Sequence, residues 1–305
     1  MGILTGDEIN VGCASNDLYA QHLGVMLYSL LENCSKPERI RIFLMDGGIS
    51  EENKNKINLI VRGHSAEINY ILPKKEYTAG LKECRHISCD AYYRFFIIEN
   101  EKIKKLLYLD ADMIIVEDIF KLWETKFEDN ILFAVKDPGG SETKKSDLGI
   151  DVEKYYFNSG VMLIDCEKWR RNKITQKAIE FMKDNPEKID YADQDGLNAV
   201  LVDKWKELSP RWNLITRLVY YRYLPFFKIP NYEKDNVKEI IMNPGVIHYA
   251  SFIKPWYFLD PSPYKKEYWT YLMRTPWKNY KQPDKSIGGF FKRIFYYLKI
   301  IKQKI

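Results

Sequence analysis

Asp110 and Asp112, one residue apart, follow the apolar run Leu106-Leu107-Tyr108-Leu109. Two carboxylates placed just past a buried strand point at a common site. Hard cations such as Mg²⁺ and Mn²⁺ take carboxylate oxygens and share their remaining positions with phosphates. A diphosphate leaving group needs its charge neutralised as its bond breaks, which a Lewis acid does. The plain alternative for Asp110-Ala111-Asp112 is an exposed acidic turn. His248 ends a second apolar run, 245–249, and Lys254 stands six positions on, before Pro255-Trp256. An imidazole there completes a cation's coordination, and the lysine pairs with a phosphate. Its plain alternative is a hydrogen-bonded core histidine.

Three further groups carry polar chemistry. Asp193, Gln194, Asp195 and Asn198 cluster at a helix start, suited either to sugar hydroxyls or to capping. Asn158 is presented by the turn Phe157-Asn158-Ser159-Gly160. Arg85-His86-Ile87-Ser88 precedes Asp90 and Arg94.

The elements that position these groups are legible from periodicity. Strands are expected at 9–14, 39–45, 67–72, 105–109, 131–135 and 160–165. Helices are expected at 18–33, 50–62 (with Ser50 as N-cap), 90–99, 174–185 and 195–203. Alternation of this kind predicts a mostly parallel sheet with helices on both faces. Such a sheet binds ligands at the carboxyl ends of its strands, which directs attention to residues 14–19, 110–112 and Asp137. There is no G-x-G-x-x-G after the first strand and no Walker-type Gly-Lys-Ser, so dinucleotide and P-loop sites are disfavoured. Residues 137–156 read as a polar mobile loop, and 209–283 as a wrapping segment.

Hydrophobic residues make up 46% and charged residues 29% of the 305, an ordinary globular composition. The net charge of +5 is local. Residues 286–305 hold Lys292, Arg293, Lys299, Lys302 and Lys304 and no acid; without these five, 42 of the 47 Lys and Arg remain against 42 Asp and Glu. A nucleic-acid binder spreads its basic residues over a folded face, so no nucleic-acid partner is expected. Ile287, Phe290, Phe291, Ile294, Leu298, Ile301 and Ile305 fall on one helical face of this tail, the basic residues mostly around the other. That pattern suits an anionic membrane surface. The five cysteines form no C-x-x-C pair, and neither a disulfide framework nor a zinc ribbon is expected. Residues 1–10 lack a secretion signal's pattern, and no apolar stretch is long enough to span a bilayer. The expectation is a cytoplasmic protein, peripheral at the inner face of the plasma membrane, with residues 1–283 as catalytic domain and 284–305 as amphipathic tail.

Taken in order, these motifs closely resemble glycosyltransferase family 8, which includes glycogenin and the bacterial lipopolysaccharide galactosyl- and glucosyltransferases. The resemblance runs from about Asn10 to Trp256. It rests on Leu-Tyr-Leu-Asp-Ala-Asp at 107–112, Phe-Asn-Ser-Gly-Val-Met-Leu-Ile at 157–164, Asp-Gln-Asp at 193–195, His248 and Lys-Pro-Trp at 254–256. It implies a GT-A (Rossmann-like) α/β fold, a UDP-sugar donor, Mn²⁺ (or Mg²⁺) and retention of anomeric configuration. Carried over by position, Asp110, Asp112 and His248 are the expected metal ligands. Ala14, Asn16 and Tyr19 are expected at the uridine, and Arg94, Asp110, Ala111, Asp112, Ser251 and Lys254 along the donor. Asp137, Asn158, Asp193 and Gln194 are expected around the transferred sugar, with His86 facing the acceptor, a glycan or lipid-linked saccharide. Asn16 replaces an aspartate and Ser251 a glycine of the bacterial relatives. Outside the resemblance, the residues alone also allow a non-catalytic UDP-sugar- or membrane-binding protein, or a haloacid-dehalogenase-type phosphotransferase.

Overall fold

The computed structural model describes residues 8–74, 80–81, 89–216, 218–219, 240–250, 254–260, 264–286 and 288–290. Ten strands order these residues: β1 (Ile9–Ser15), β2 (Ile40–Asp46), β3 (Glu67–Ile71), β4 (Lys105–Leu109), β5 (Met113–Ile115), β6 (Leu132–Lys136), β7 (Phe157–Asp165), β8 (Trp205–Glu207), β9 (Leu214–Ile215) and β10 (Val246–His248). Seven form one sheet in the order β3-β2-β1-β4-β7-β6-β8. Only β7 runs against its neighbours, pairing antiparallel with both β4 and β6. β1 and β4 are buried almost throughout, as strands covered on both faces must be. The other three strands make a small sheet, β5-β10-β9.

The chain crosses from the large sheet to the small one between β4 and β5. That crossing is Asp110-Ala111-Asp112. β10 pairs antiparallel with β5 in a register that sets His248 opposite Met113. The sheet crossing and this one register therefore deliver Asp110, Asp112 and His248 to one place.

Two cores flank the large sheet. One gathers α1 (Ala20–Glu32), α2 (Glu51–Gly63) and the small sheet, with buried Leu23, Met26, Leu27 and Leu30 from α1. Each such side chain contributes about 1.5–3 kcal/mol by leaving water. The other gathers α3 (Arg94–Ile98), α6 (Cys166–Arg171), α7 (Ile174–Asp184) and α8 (Asp193–Val200). Two short helices, α4 (Phe120–Trp123) and α5 (Glu142–Asp147), lie in the connections, and α9 (Lys265–Leu272) returns to pack on α1. Ser50 caps α2 as expected, accepting from the Asn53 N–H at 3.3 Å.

Three segments differ from expectation. Residues 137–156 are not a plain loop: Ser141 caps α5 by accepting from the Lys144 N–H (3.1 Å). Lys144 and Lys145 are buried there with their ammonium groups bonded, which a long aliphatic stem permits. β7 begins at Phe157, three residues earlier than its periodicity suggests, because its register against β6 shifts between Ala134 and Val135. The stretch read as a wrapping segment supplies β9, β10 and α9.

Cys13, Cys34 and Cys166 are free, buried thiols. No helix among the described residues is long and apolar enough to cross a membrane. Most of the tail expected to be amphipathic, Ile287 and everything beyond Phe290, lies outside the described residues. Its root is fastened where Asp284 accepts from the backbone N–H groups of Phe258 (2.5 Å) and Leu259 (2.9 Å).

Candidate active site

Asp110, Asp112 and His248 each offer one ligand atom, and these atoms lie within 4.8 Å of one another. His248 Nε2 is 3.3 Å from Asp112 Oδ1 and 3.8 Å from Asp110 Oδ2. A Mg²⁺-like ion holding ligands at about 2.1 Å places adjacent donors about 3 Å apart, so this spread suits one shared ion. Two carboxylates and an imidazole form a mixed set that suits Mn²⁺ or Mg²⁺ better than thiolate-seeking metals. His248 is buried while Asp110 keeps 26% of its side chain exposed, so the cluster opens on one side.

A glycine makes the cluster possible. A Cβ at Gly160 would lie 2.4 Å from His248 Cε1 and 2.9 Å from Asp110 Oδ2. Gly160 also accepts from the Asp110 N–H through its carbonyl (3.0 Å). The next residue of the crossing, Ala111, is buried against the first core.

Positive charge surrounds the carboxylates. Lys254 donates to Asp112 Oδ2 at 2.6 Å and to the Tyr249 carbonyl at 2.8 Å. Burial opposes the Asp112 carboxylate, but Lys254 and His248 outweigh it and hold its carboxyl well below the usual range. Arg94, 5% exposed, donates to Asp110 Oδ1 (3.1 Å), the Ser159 carbonyl (2.6 Å) and the Ala91 carbonyl (3.0 Å). Its guanidinium lies 4.4 Å from the centre of the Tyr108 ring.

Asp193 meets the same arginine less favourably. Arg94 Nε is 3.1 Å from Asp193 Oδ2, but that N–H is directed at Ala91, and this carboxylate oxygen has no hydrogen-bond donor among the described residues. Burial pushes the Asp193 carboxyl up, to about 7; Arg94 pulls the other way and Asp110 adds to the rise. The preceding residue, Ala192, has φ 49° and ψ −124°, a backbone conformation that a residue with a Cβ rarely adopts. This local strain sets the direction in which Asp193 and Gln194 enter α8.

Two residues before Gly160 on β7, Asn158 donates to Asp137 Oδ2 (2.9 Å) and Gln194 Oε1 (3.0 Å). Gln194 donates in turn to Asp137 Oδ2 and to the Tyr156 hydroxyl, both at 3.1 Å. Tyr156 donates to Asp195 Oδ1 at 2.6 Å. Asp195 Oδ2 is met by Lys144 (2.8 Å) and by the N–H groups of Asp190 (2.7 Å) and Tyr191 (2.8 Å). Thus Asp137, Asn158 and Gln194 form one bonded set, whereas Asp195 is committed to holding the chain.

Ala14 and Asn16 lie at the carboxyl end of β1, and Tyr19 ends the turn as the N-cap of α1. Asn16 Oδ1 accepts from the Tyr19 N–H (3.2 Å). Trp256, two residues after Lys254 in the chain, meets Tyr19 edge-on and stacks on His22 with ring centres 3.5 Å apart. Burial drives the His22 imidazole down to about 3, so it is a neutral packing partner. Ser251 and His86 lie outside the described residues.

One residue near the cluster carries no sequence signal. Asn213, fully buried, meets His248 Nδ1 through Oδ1 at 2.9 Å. It stands 35 residues from His248 in a stretch with no periodicity, and only its place before the short apolar pair Leu214-Ile215 hints at burial.

Comparison with known proteins agrees with this architecture. The chain is 36% identical over 284 residues to general stress protein A of Bacillus subtilis (strain 168), covering 91% of this chain and 98% of that protein. It is 31% identical to a lipopolysaccharide 1,2-glucosyltransferase of Escherichia coli (strain K12), covering 95% and 86%. Some curated relatives are longer, the chain spanning 32% of one and 27% of another. Among solved structures, the galactosyltransferase LgtC in complex with donor and acceptor sugar analogues superposes with a TM-score of 0.76 at 27% identity, covering 92% of this chain and all of that one. The fold is therefore GT-A. The sequence profile of Glycosyl transferase family 8 matches residues 10–259, and the chain belongs to that family.

Proposed function

We propose that this glycosyltransferase moves a hexose, glucose or galactose, from a UDP-sugar to a glycan or lipid-linked saccharide with retention of configuration. The observation that carries the reading is the convergence of Asp110, Asp112 and His248 within 4.8 Å beside Lys254. These three residues would hold Mn²⁺ or Mg²⁺, which supplies Lewis-acid neutralisation of the departing diphosphate. Lys254 adds a cation for a phosphate oxygen, and Arg94 fixes the carboxylate of Asp110. Ala14, Asn16 and Tyr19 border the uridine end. Asp137, Asn158, Asp193 and Gln194 present carboxylate and amide groups to the sugar. Membership of the family removes the haloacid-dehalogenase alternative.

Retention by two inversions needs a carboxylate nucleophile beneath the anomeric carbon. Asp195 does not suit that role, since four donors already occupy its two oxygens. The Gln194 amide is a poor nucleophile. Same-face attack is the better reading. The acceptor oxygen bonds to the anomeric carbon as the bond to the phosphate oxygen breaks, and the hydroxyl proton passes to the departing phosphate. A covalent sugar adduct on Asp193 during normal turnover overturns this choice.

The identity to a lipopolysaccharide glucosyltransferase and the basic, apolar pattern of residues 286–305 support an acceptor at an anionic membrane face. Partitioning into anionic vesicles by the full chain, lost on truncation at Ser286, tests the placement. The whole reading is tested by offering a panel of UDP-sugars with Mn²⁺ or EDTA and measuring UDP release. Metal-dependent cleavage of a UDP-hexose is expected. Binding of UDP with no cleavage or transfer of any UDP-sugar points instead to a non-catalytic binding protein.

A further inference from the structure

We propose that Asn213 is a positioning residue that fixes which nitrogen of His248 faces the cation, and that ties the metal cluster to the sugar-side residues. The inference rests on the metal reading above and adds to it a residue outside the ligand set.

The polarity of the hydrogen-bond chain can be read from backbone groups, whose donor and acceptor ends are fixed. The Gly160 N–H donates to Asn158 Oδ1 at 3.0 Å. That contact makes Oδ1 the acceptor end of the Asn158 amide. Its Nδ2 end then faces Asp137 Oδ2 and Gln194 Oε1, and Gln194 Oε1 is independently marked as an acceptor by the Ser159 N–H (3.1 Å). Asn213 approaches the same Asn158 Oδ1 at 2.8 Å and must present Nδ2 to it. Its Oδ1 is thereby turned to His248 Nδ1 at 2.9 Å. An amide oxygen only accepts, so Nδ1 carries the hydrogen. The lone pair of Nε2 is left facing Asp110 and Asp112.

A metal-bound imidazole needs its other N–H held by an acceptor, which sets both tautomer and ring angle. Asn213 meets that need from a site that is 0% exposed, where water is not available to substitute. The same side chain reaches Asn158, which reaches Asp137 and Gln194. The orientation of the metal ligand and that of the sugar-side amides therefore depend on one another through a single residue.

The test uses the full chain stripped of metal. Mn²⁺ alone is titrated and the free ion followed by electron paramagnetic resonance; spin-echo modulation by the imidazole nitrogen reports coordination by His248. Asn213→Leu removes the acceptor at nearly constant volume. It is expected to weaken Mn²⁺ binding about 10–100-fold and to diminish the nitrogen modulation. Asn213→Asp keeps an oxygen opposite Nδ1, so it is expected to keep binding within about threefold and to keep the modulation. Where leucine prevents folding, Asn213→Ser takes its place, being too short to reach Nδ1 without adding bulk. Wild-type binding and modulation in Asn213→Leu or Asn213→Ser overturn the proposal. So does equal loss in Asn213→Asp, because that variant keeps an acceptor opposite His248 Nδ1 and loses only the donor to Asn158. Failure of the wild-type chain to bind Mn²⁺, with or without UDP, overturns the metal reading itself and is distinguishable from both.

Discussion

The ammonium of Lys254 lies 2.6 Å from Asp112 Oδ2, while the other oxygen of the same carboxylate faces His248 at 3.3 Å. Asp112 is thus divided between a built-in cation and the place where a metal would sit. Removing the lysine leaves a buried carboxylate short of positive charge, and a metal ion is the available substitute. Lys254→Met is expected to tighten Mn²⁺ binding in the absence of nucleotide and to weaken UDP binding about tenfold, the scale of one charged hydrogen bond. Titration calorimetry of each ligand separately checks both directions. Unchanged Mn²⁺ affinity would show that the two cations do not share Asp112.

Asp112→Asn keeps the shape and one acceptor oxygen but removes the charge. Lys254 and a metal would then face a neutral amide. Metal-dependent turnover is expected to fall about 100-fold or more, the scale seen when a preorganised electrostatic group is lost. The chain should still fold, with some stability lost because Lys254 then faces a neutral amide in place of its carboxylate. Undiminished UDP release with the same Mn²⁺ requirement removes Asp112 from the ligand set.

Gly160→Ala probes the cluster through space alone. Its φ is not positive, so the added methyl brings no backbone penalty of its own, only contacts of 2.4 Å with His248 Cε1 and 2.9 Å with Asp110 Oδ2. Both neighbours must move apart. Overpacking of this kind costs about 1–3 kcal/mol in stability. Mn²⁺ binding should fall at least about tenfold, as expected when a ligand set is held off its geometry. A protein that binds Mn²⁺ normally would show that the site tolerates a wider spacing than the structure displays.

The longer strands and helices of the first 135 residues were legible because each carries one strong period, such as the continuous apolar runs in β1 and β4 and the 3.6-residue stripe in α1, whereas the short β5 and α4 were not. Asp110 and Asp112 were legible because they end such a run. What joins them to His248 was not. The pairing of β5 with β10 spans more than 130 residues between two strands of three residues, too short for any period to register. Asn213 was hidden for the same reason. Lys144 and Lys145 misled in the opposite sense, since two lysines among Gly, Ser and Glu read as a solvated loop. Their burial depends on acceptors at 152–154 and 188–195 that nothing local announces.

Lys144 therefore gives a prediction about stability. Among the described residues it is the only full positive charge bonded to Asp195, whose exposure is 0%. Lys144→Met would leave that carboxylate with the Tyr156 hydroxyl and two backbone N–H groups. Breaking a buried pair on one side costs about 3–5 kcal/mol, and the remaining donors place this case near the lower end. Urea denaturation measures the loss. Adding Asp195→Asn to Lys144→Met should recover part of it. A loss below about 1 kcal/mol, the scale of an exposed pair, would show that Lys144 does not neutralise Asp195.

Asp193 makes stability depend on pH in a defined direction. Its carboxyl is raised in the folded protein, to about 7, mainly by burial. Between the ordinary carboxylate range and about pH 7, the folded chain keeps a proton that the unfolded chain has released. Stability from this group is therefore present at low pH, falls as the pH rises through that window, and is flat above it. Asp193→Asn is neutral at every pH and nearly the same shape. In metal-free protein, the variant should gain on wild type steadily from pH 5 to pH 7.5, the other titrating groups cancelling in the difference. Urea denaturation of both proteins across that range supplies the measurement. A difference that stays constant with pH would mean that Arg94, 3.1 Å away, compensates the burial of this carboxylate completely.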